Sequence, residues 1–138
     1  MNFVIVALLV IILDQLTKYY VVANFYLGES VPVIENIFHW TYILNPGAAF
    51  GMFEGSRWFF VVIAICVLGG IWYMRDEINE GGWMMQYGAA LFGGGAIGNL
   101  IDRTRSGLVI DFFDFRIWPV FNVADIAICV GVAMILWK

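Results

Sequence analysis

Four long apolar stretches dominate this sequence and restrict the folds that are open to it. They run over residues 3–22, 57–74, 83–101 and 120–137. A helix needs about 20 largely apolar residues to cross the roughly 30 Å hydrocarbon core of a bilayer, and each stretch approaches or reaches that length. With 62% hydrophobic and only 13% charged residues, the chain departs from the composition of soluble domains. We therefore expect a single membrane domain over residues 1–138, with four transmembrane helices.

The first stretch lies at the N-terminus, where it could be taken for a secretory signal. It lacks a basic region before the apolar run and a small-residue cleavage site, so we interpret it as a retained first span. Four spans would put both termini on one side of the membrane and the long connections, residues 23–56 and 102–119, on the other. The distribution of Lys and Arg alone would place those connections in the cytoplasm. Several of these cations have carboxylates as candidate partners, which weakens that signal.

The first long connection is expected to contain a small antiparallel β element between the first and second spans. Residues 37–44, IFHWTYIL, are rich in aromatic and β-branched side chains, which favour strands. We place the element at about residues 28–53 and expect it to rest at the membrane interface, where aromatic rings are favoured. The sequence thus predicts an all-α membrane protein that carries one small β element.

Charge and cysteine content exclude several classes of function. The net charge of -4 leaves no basic patch for nucleic acid. One histidine and two cysteines are too few for a zinc or haem site, and Cys66 and Cys129 lie within apolar runs, which is typical of packing residues. We expect no metal, no cofactor and no nucleic-acid partner.

Charged side chains within the apolar stretches need an explanation, because an intramembrane charge costs at least about 2.5–3.5 kcal/mol. Asp14 and Lys18 are four residues apart on the first stretch, so they share one face of a helix. One interpretation is an interfacial ion pair that only orients the helix. The other is a helix face that points into a polar cavity, and the residues alone leave both open.

The third stretch combines small and polar residues. Gly94 and Gly98 form a GxxxG spacing, which lets two helices approach closely. Asn99, Asp102 and Arg103 follow at i, i+3 and i+4, which puts an amide, an acid and a guanidinium on one face at the end of the span. The planar fork of Arg103 could bind a carboxylate or a backbone carbonyl.

The sequences NPGAAF and FNVAD each have a purely structural interpretation. Asn45 and Gly47 fit a tight turn, whose backbone could also approach another chain closely. Asn122 and Asp125 fit an N-cap and its capping-box partner at the start of the fourth span. The apolar run after Asp125 argues against capping alone, because a carboxylate without a partner is expensive there.

The sequence LVIDFFDF, between the last two stretches, is expected to be an extended strand. Asp111 and Asp114 are three residues apart and would face opposite sides of it, so only one can enter a given site. That acid and Asp125 would form a pair at the membrane edge. Two close carboxylates cannot both ionise cheaply, so one holds a proton while the other activates water, as in aspartic proteases.

Five motifs, in this order, resemble those of the lipoprotein signal peptidases, or signal peptidase II. They are DQLTK, NPGAAF, GNLIDR, VIDFFDF and FNVAD, and they run from residue 14 to residue 125. The resemblance implies an intramembrane aspartyl endopeptidase, multi-pass in the bacterial cytoplasmic (inner) membrane, with its active site near the extracytoplasmic face. It also implies that the enzyme cuts the signal peptide from a prolipoprotein just before a cysteine that carries a diacylglyceryl group.

The resemblance further implies roles for individual residues. Asp111 and Asp125 match the catalytic pair. The positions that support the site or bind substrate are matched by Asp14, Lys18, Asn45, Gly47, Asn99, Arg103 and Asn122. The β element would be an extracytoplasmic cradle, the partners would be the diacylated signal peptide and membrane lipid, and we expect a monomer.

Two other functions stay open from the residues alone. Membrane acids and an arginine also mark ion pathways, so a small proton- or ion-coupled transporter is one alternative, although no inverted repeat is visible in the sequence. The other is a four-span protein that binds lipidated peptides without cleaving them, and the pair of aspartates argues against it.

Overall fold

The computed structural model describes residues 3–138, which form a mostly helical protein with a three-stranded antiparallel sheet. In chain order the elements are α1 (Phe3–Asn24), β1 (Ser30–Ile34), β2 (Phe38–Asn45), a 3-10 turn (Ala49–Gly51), α2 (Arg57–Tyr73), α3 (Arg75–Glu80), α4 (Gly82–Arg105), β3 (Val109–Asp114) and α5 (Val123–Trp137). The predicted combination of long helices and a small antiparallel element is confirmed. The sheet is larger than the predicted element, because β3 joins it from the connection before α5.

Helix α4 is packed against α1, α2 and α5, and its glycines allow the close approach. A Cβ at Gly94 would lie 2.9 Å from the carbonyl oxygen of Ala7 on α1, and one at Gly95 would meet the backbone of α5 at 2.6 Å. A Cβ at Gly98 would lie 2.5 Å from Oδ2 of Asp14. The close helix contact predicted from Gly94 and Gly98 is therefore confirmed, with α1 as the neighbour.

Helix length and surface chemistry differ among the helices. Of the described helices, α1 alone is long and apolar enough to cross a membrane, while α2 and α5 are apolar but have only 17 and 15 residues. α4 has 24 residues, but it is rich in glycine and ends in charged side chains. Large apolar residues such as Leu9 and Phe59 are exposed on α1 and α2. Such an apolar exterior suits contact with lipid.

The sheet joins β3, which precedes α5, to the two strands that follow α1. Its order is β1-β2-β3, and β2 pairs with β3 so that Asp111 lies opposite Ile43 and Asp114 lies opposite His39. The register shifts between these two pairs. Both aspartates are buried, at 1% and 5% exposure. Burial of two acids on one strand requires partners for each, and those partners differ.

Candidate active site

Asp111 on β3 and Asp125 in the first turn of α5 line one cavity of about 250 Å³. The cavity lies between the loop after β2, the last turns of α4 and the start of α5. Its other lining residues are Asn45, Gly47, Ala48, Ala49, Asn99, Arg103, Val109, Trp118, Pro119, Val120, Phe121, Ile128 and Cys129. The structure thus brings together two acids from separate elements, a strand and a helix, in a cavity lined by both polar and apolar groups.

Asn122 contacts both acids. Its Nδ2 donates to Oδ1 of Asp111 over 2.9 Å, and its backbone N–H donates to Oδ2 of Asp125 over 3.1 Å. Its Oδ1 accepts from the backbone N–H of Asp125 at 2.9 Å, which completes the predicted capping box. Capping and site formation are therefore compatible, because one side chain begins α5 and also holds the acid on β3.

Asn99 connects Asp125 to a buried charge on α1. Its Nδ2 donates to Oδ1 of Asp125 over 2.9 Å, while its Oδ1 accepts from Nζ of Lys18 and from Nδ2 of Asn122, each at 3.1 Å. An ammonium group can only donate, so Lys18 fixes which end of the Asn99 amide is the oxygen. The NH₂ end is consequently directed at Asp125.

The loop after β2 encloses the other oxygen of Asp111. Nδ2 of Asn45 donates to Oδ2 of Asp111 and to the carbonyl oxygen of Ala48, each over 3.2 Å, while Oδ1 of Asn45 accepts from the N–H of Gly47 at 2.9 Å. A Cβ at Gly47 would collide with the carbonyl oxygen of Met52. The tight turn predicted at this sequence is therefore also what supplies a donor to the acid.

Arg103 holds the same loop from α4. Its Nη2 donates to the carbonyl oxygen of Gly47 over 3.2 Å, and its guanidinium carbon lies 4.5 Å from the ring centroid of Phe60. The sequence allowed a carboxylate or a backbone carbonyl as the partner of the Arg103 guanidinium, and the structure shows the carbonyl. The guanidinium also lines the cavity, where its charge attracts those of Asp111 and Asp125.

The predicted Asp14–Lys18 pair is formed inside the protein. Nζ of Lys18 lies 2.8 Å from Oδ2 of Asp14, and the two residues are 1% and 0% exposed. The interpretation as a snorkelling interfacial pair is therefore wrong, since neither group reaches the surface. This face of α1 points into a polar interior shared with α4 and α5.

Two further polar residues belong to this interior and were absent from the predicted site. Oδ2 of Asp102 lies 2.9 Å from Nζ of Lys18, so this acid turns toward α1, whereas Asn99 on the same helix lines the cavity. Nε2 of Gln15 donates to Oδ2 of Asp14 and to Oδ1 of Asp102, each over 3.1 Å. The sequence signal that could have identified them as site residues is their position inside the motifs DQLTK and GNLIDR.

Asp114 has different surroundings. Its Oδ2 accepts from Oγ1 of Thr41 and from Nη1 of Arg116, each at 2.7 Å. Burial alone would raise the pKa of Asp114, but these hydrogen bonds and the charge of Arg116 hold it below its ordinary value. Of the two acids on β3, only Asp111 is among the described residues that line the cavity of Asp125, and it is the one that the resemblance favours.

Burial, followed by the nearby charge of Asp125, raises the pKa of the Asp111 carboxyl to about 7. Hydrogen bonds from Asn45 and Asn122 oppose this rise, because amide donors stabilise the ionised form. A carboxyl with such a pKa holds a proton for much of the time near neutral pH. The pair can therefore supply one acid and one base together.

The fold is similar to solved structures of membrane enzymes. A structure described as a bacterial membrane enzyme, determined by the in meso method at 2.3 Å resolution, matches with a TM-score of 0.91 and 35% identity over 98% of this chain and 85% of that chain. A second, described in the same words at 1.9 Å resolution, matches with a TM-score of 0.88 and 35% identity over 98% and 90%. The class of protein is thus a membrane enzyme.

Sequence comparison gives the family. The family model described as Signal peptidase (SPase) II matches residues 6–138. The lipoprotein signal peptidase of Desulfitobacterium hafniense (strain DSM 10664 / DCB-2) is 50% identical over 125 residues, which cover 90% of this chain and 83% of the relative. That of Moorella thermoacetica is 46% identical over 142 residues, covering 100% and 92%. The chain belongs to the signal peptidase II family of proteases, as the motifs predicted.

Proposed function

We propose that this chain is an intramembrane aspartyl endopeptidase that removes the signal peptide from diacylglyceryl-modified prolipoproteins, immediately before the lipidated cysteine. One observation carries this proposal: Asp111 and Asp125 share a cavity, and each of their four carboxylate oxygens accepts a hydrogen bond from an asparagine. Membership of the family supports the substrate class, since the relatives are named lipoprotein signal peptidases.

The two acids would hydrolyse the peptide bond by acid–base catalysis. Asp125, as the carboxylate, takes a proton from water, the water oxygen bonds to the scissile carbonyl carbon, and Asp111 gives its proton to the carbonyl oxygen. Asp125 then passes its proton to the peptide nitrogen as the C–N bond breaks, and a hydroxyl of the tetrahedral carbon returns a proton to Asp111. The raised pKa of Asp111, caused by burial and by the charge of Asp125, supports a pair that shares one proton.

The apolar residues that line the cavity suit the substrate. Val120, Ile128 and Cys129 line the cavity with the acids, and the last two lie on α5 about one turn after Asp125. An apolar wall that continues along a membrane helix is compatible with the apolar residues of a signal peptide and with the acyl chains on the cysteine. The substrate brings its own cysteine, so the proposed chemistry uses neither Cys66 nor Cys129.

We further propose that α1, α2, α4 and α5 are four spans of one domain in the bacterial cytoplasmic membrane. Val21 near the end of α1 packs against Tyr42 and Phe112 of the sheet. Asp102 near the end of α4 and Asn122 before α5 form hydrogen bonds with β3, which supports an up-and-down arrangement. The sheet would form an extracytoplasmic cradle at the interface, with the active site beside it and both termini in the cytoplasm. The enzyme would act as a monomer in contact with membrane lipid.

The direct test is cleavage of a diacylated precursor by the purified protein in lipid nanodiscs, beside the same precursor without its lipid. We expect release of the signal peptide from the lipidated precursor and little or none from the other. Mass spectrometry would locate the cut on the N-terminal side of the modified cysteine. Absence of cleavage in both precursors would overturn the proposal, and equal cleavage would overturn its substrate class.

A further inference from the structure

A buried ion triad lies behind the active-site cavity. Nζ of Lys18 is 2.8 Å from Oδ2 of Asp14 and 2.9 Å from Oδ2 of Asp102, and the three residues are at most 5% exposed. The third hydrogen bond of this ammonium goes to Oδ1 of Asn99 at 3.1 Å. Lys18 has three donors and finds three acceptors, so its position is fully determined. The triad joins α1 to α4.

Each carboxylate of the triad also binds the backbone of a residue that directly precedes one of the catalytic acids. Oδ2 of Asp102 accepts from the N–H of Ile110 at 3.1 Å, and Oδ1 of Asp14 accepts from the N–H of Ala124 at 2.9 Å. Ile110 is on β3 and Ala124 is in the first turn of α5. One acid of the triad therefore holds the strand, and the other holds the helix.

The two carboxylates of the triad cannot shift independently. Nε2 of Gln15 lies 3.1 Å from Oδ2 of Asp14, from Oδ1 of Asp102 and from the carbonyl oxygen of Gly98. Gly98 itself is in close contact with Asp14, since even a Cβ there would lie 2.5 Å from its Oδ2. Packing and hydrogen bonding thus hold both acids against the same amide and the same ammonium.

We propose that Asp14, Lys18 and Asp102 are positioning residues that fix the spacing between Asp111 and Asp125, a role that rests on the proposed function. β3 and α5 are separate elements, so contacts must set the relative position of the two acids they carry. The triad supplies one contact to each element from a single charge centre. None of its three residues is among the described residues that line the active-site cavity. The triad would therefore affect the reaction only through the positions of Asp111 and Asp125.

The test compares Asp102→Asn and Asp14→Asn, each of which keeps side-chain size but removes a charge, with the wild type on a diacylated precursor. Misplacing catalytic groups by about 1 Å can cost about 100-fold in rate, so we expect kcat to fall about 10- to 100-fold in folded, monodisperse protein. KM should change by no more than about threefold, because substrate contacts are untouched. The double variant should be at least as damaging as the worse single one, since it alters the contacts to both elements and leaves the buried Lys18 without a carboxylate partner.

Asp114→Asn is the matched control, because Asp114 is also a buried acid on β3 but is bonded to Thr41 and Arg116. It should keep the kcat of the wild type. Gln15→Met is a second test variant for the case that the charge variants do not fold. It removes the amide that bridges Asp14 and Asp102 and leaves the charges in place. For this variant we expect kcat to fall about 3- to 10-fold.

A role in folding alone would lower the yield and the unfolding midpoint of Asp102→Asn, Asp14→Asn and Gln15→Met. It would leave their kcat per folded molecule at the wild-type value. That result would overturn the positioning role. A raised KM with unchanged kcat would overturn it as well, because it would place the triad in substrate binding. Failure of the wild type to cleave the precursor would instead refute the proposed function, so the two failures are distinguishable.

Discussion

The side-chain amide of Asn122 donates a 2.9 Å hydrogen bond to Oδ1 of Asp111. Asn122 is fully buried and at the same time caps α5. A residue that does not titrate therefore ties the acid on the strand to the start of the helix that carries the other acid. The geometry of the pair depends on this amide as much as on the acids themselves.

Replacing Asn122 with alanine should lower both stability and activity. The variant loses a helix cap, which is worth about 1 kcal/mol, and it leaves the buried Asp111 without one of its donors, which costs about 1–3 kcal/mol. We expect a lower unfolding midpoint and a kcat reduced about tenfold or more, since each 1.36 kcal/mol of lost transition-state stabilisation is a factor of ten. Thermal unfolding and cleavage kinetics measure the two effects.

The control for this variant is Ser56→Ala. Ser56 precedes α2 in the position of an N-cap, but its side chain makes no capping hydrogen bond with the described residues. Its loss should leave both the unfolding midpoint and kcat unchanged. Similar losses in the two variants would contradict a specific role for Asn122.

The raised pKa of Asp111 predicts that stability falls as the pH rises. The carboxyl has an ordinary pKa of 3.8 when unfolded and a pKa of about 7 when folded. Between these values the folded state binds more protons than the unfolded state, so the free energy of unfolding decreases with increasing pH and levels off above about pH 7. Asp111→Asn should weaken this decrease, because one of the two coupled acids no longer titrates. Thermal unfolding of both proteins across this pH range tests the prediction, and parallel curves would contradict it.

Much of the local structure could be predicted from the sequence. The apolar stretches indicated long helices, the four-residue spacing of Asp14 and Lys18 indicated their ion pair, and the sequence from Asn122 to Asp125 indicated a capping box. Each of these depends on residues close together in the chain. Periodicity and spacing carry that information directly.

The arrangement of the network could not be predicted in this way. Whether Asp102 faced the cavity or α1 depended on the rotation of α4, and the bond from Ala124 to Asp14 joins residues 110 positions apart. The pairing of β3 with β2 was missed for the same reason, because it depends on how distant elements pack. The motifs identified which residues take part, but the partners of each depend on the tertiary fold.

Close packing of α4 against α1 makes Gly98 sensitive to substitution. Gly98→Ala would put a Cβ 2.5 Å from Oδ2 of Asp14, so the carboxylate or the helix must move, and we expect lower stability and lower kcat. Gly69→Ala on α2 is the matched control, since a Cβ there meets no described atom within 4 Å. Alanine is favoured over glycine inside a helix by about 0.8–1.0 kcal/mol, so the control should be as stable as the wild type or more so. Unfolding midpoints and kcat compare the pair, and a harmless Gly98→Ala would contradict the packing described.

The central claim is that Asp111 and Asp125 together cleave the peptide bond. The most direct measurement is the turnover of a diacylated precursor by the wild type, Asp111→Asn and Asp125→Asn, with Asp114→Asn as control. We predict that the first two variants remain folded but lose at least about 1000-fold in kcat, while Asp114→Asn continues to cleave. Turnover near the wild-type rate by either Asp111→Asn or Asp125→Asn would contradict the account.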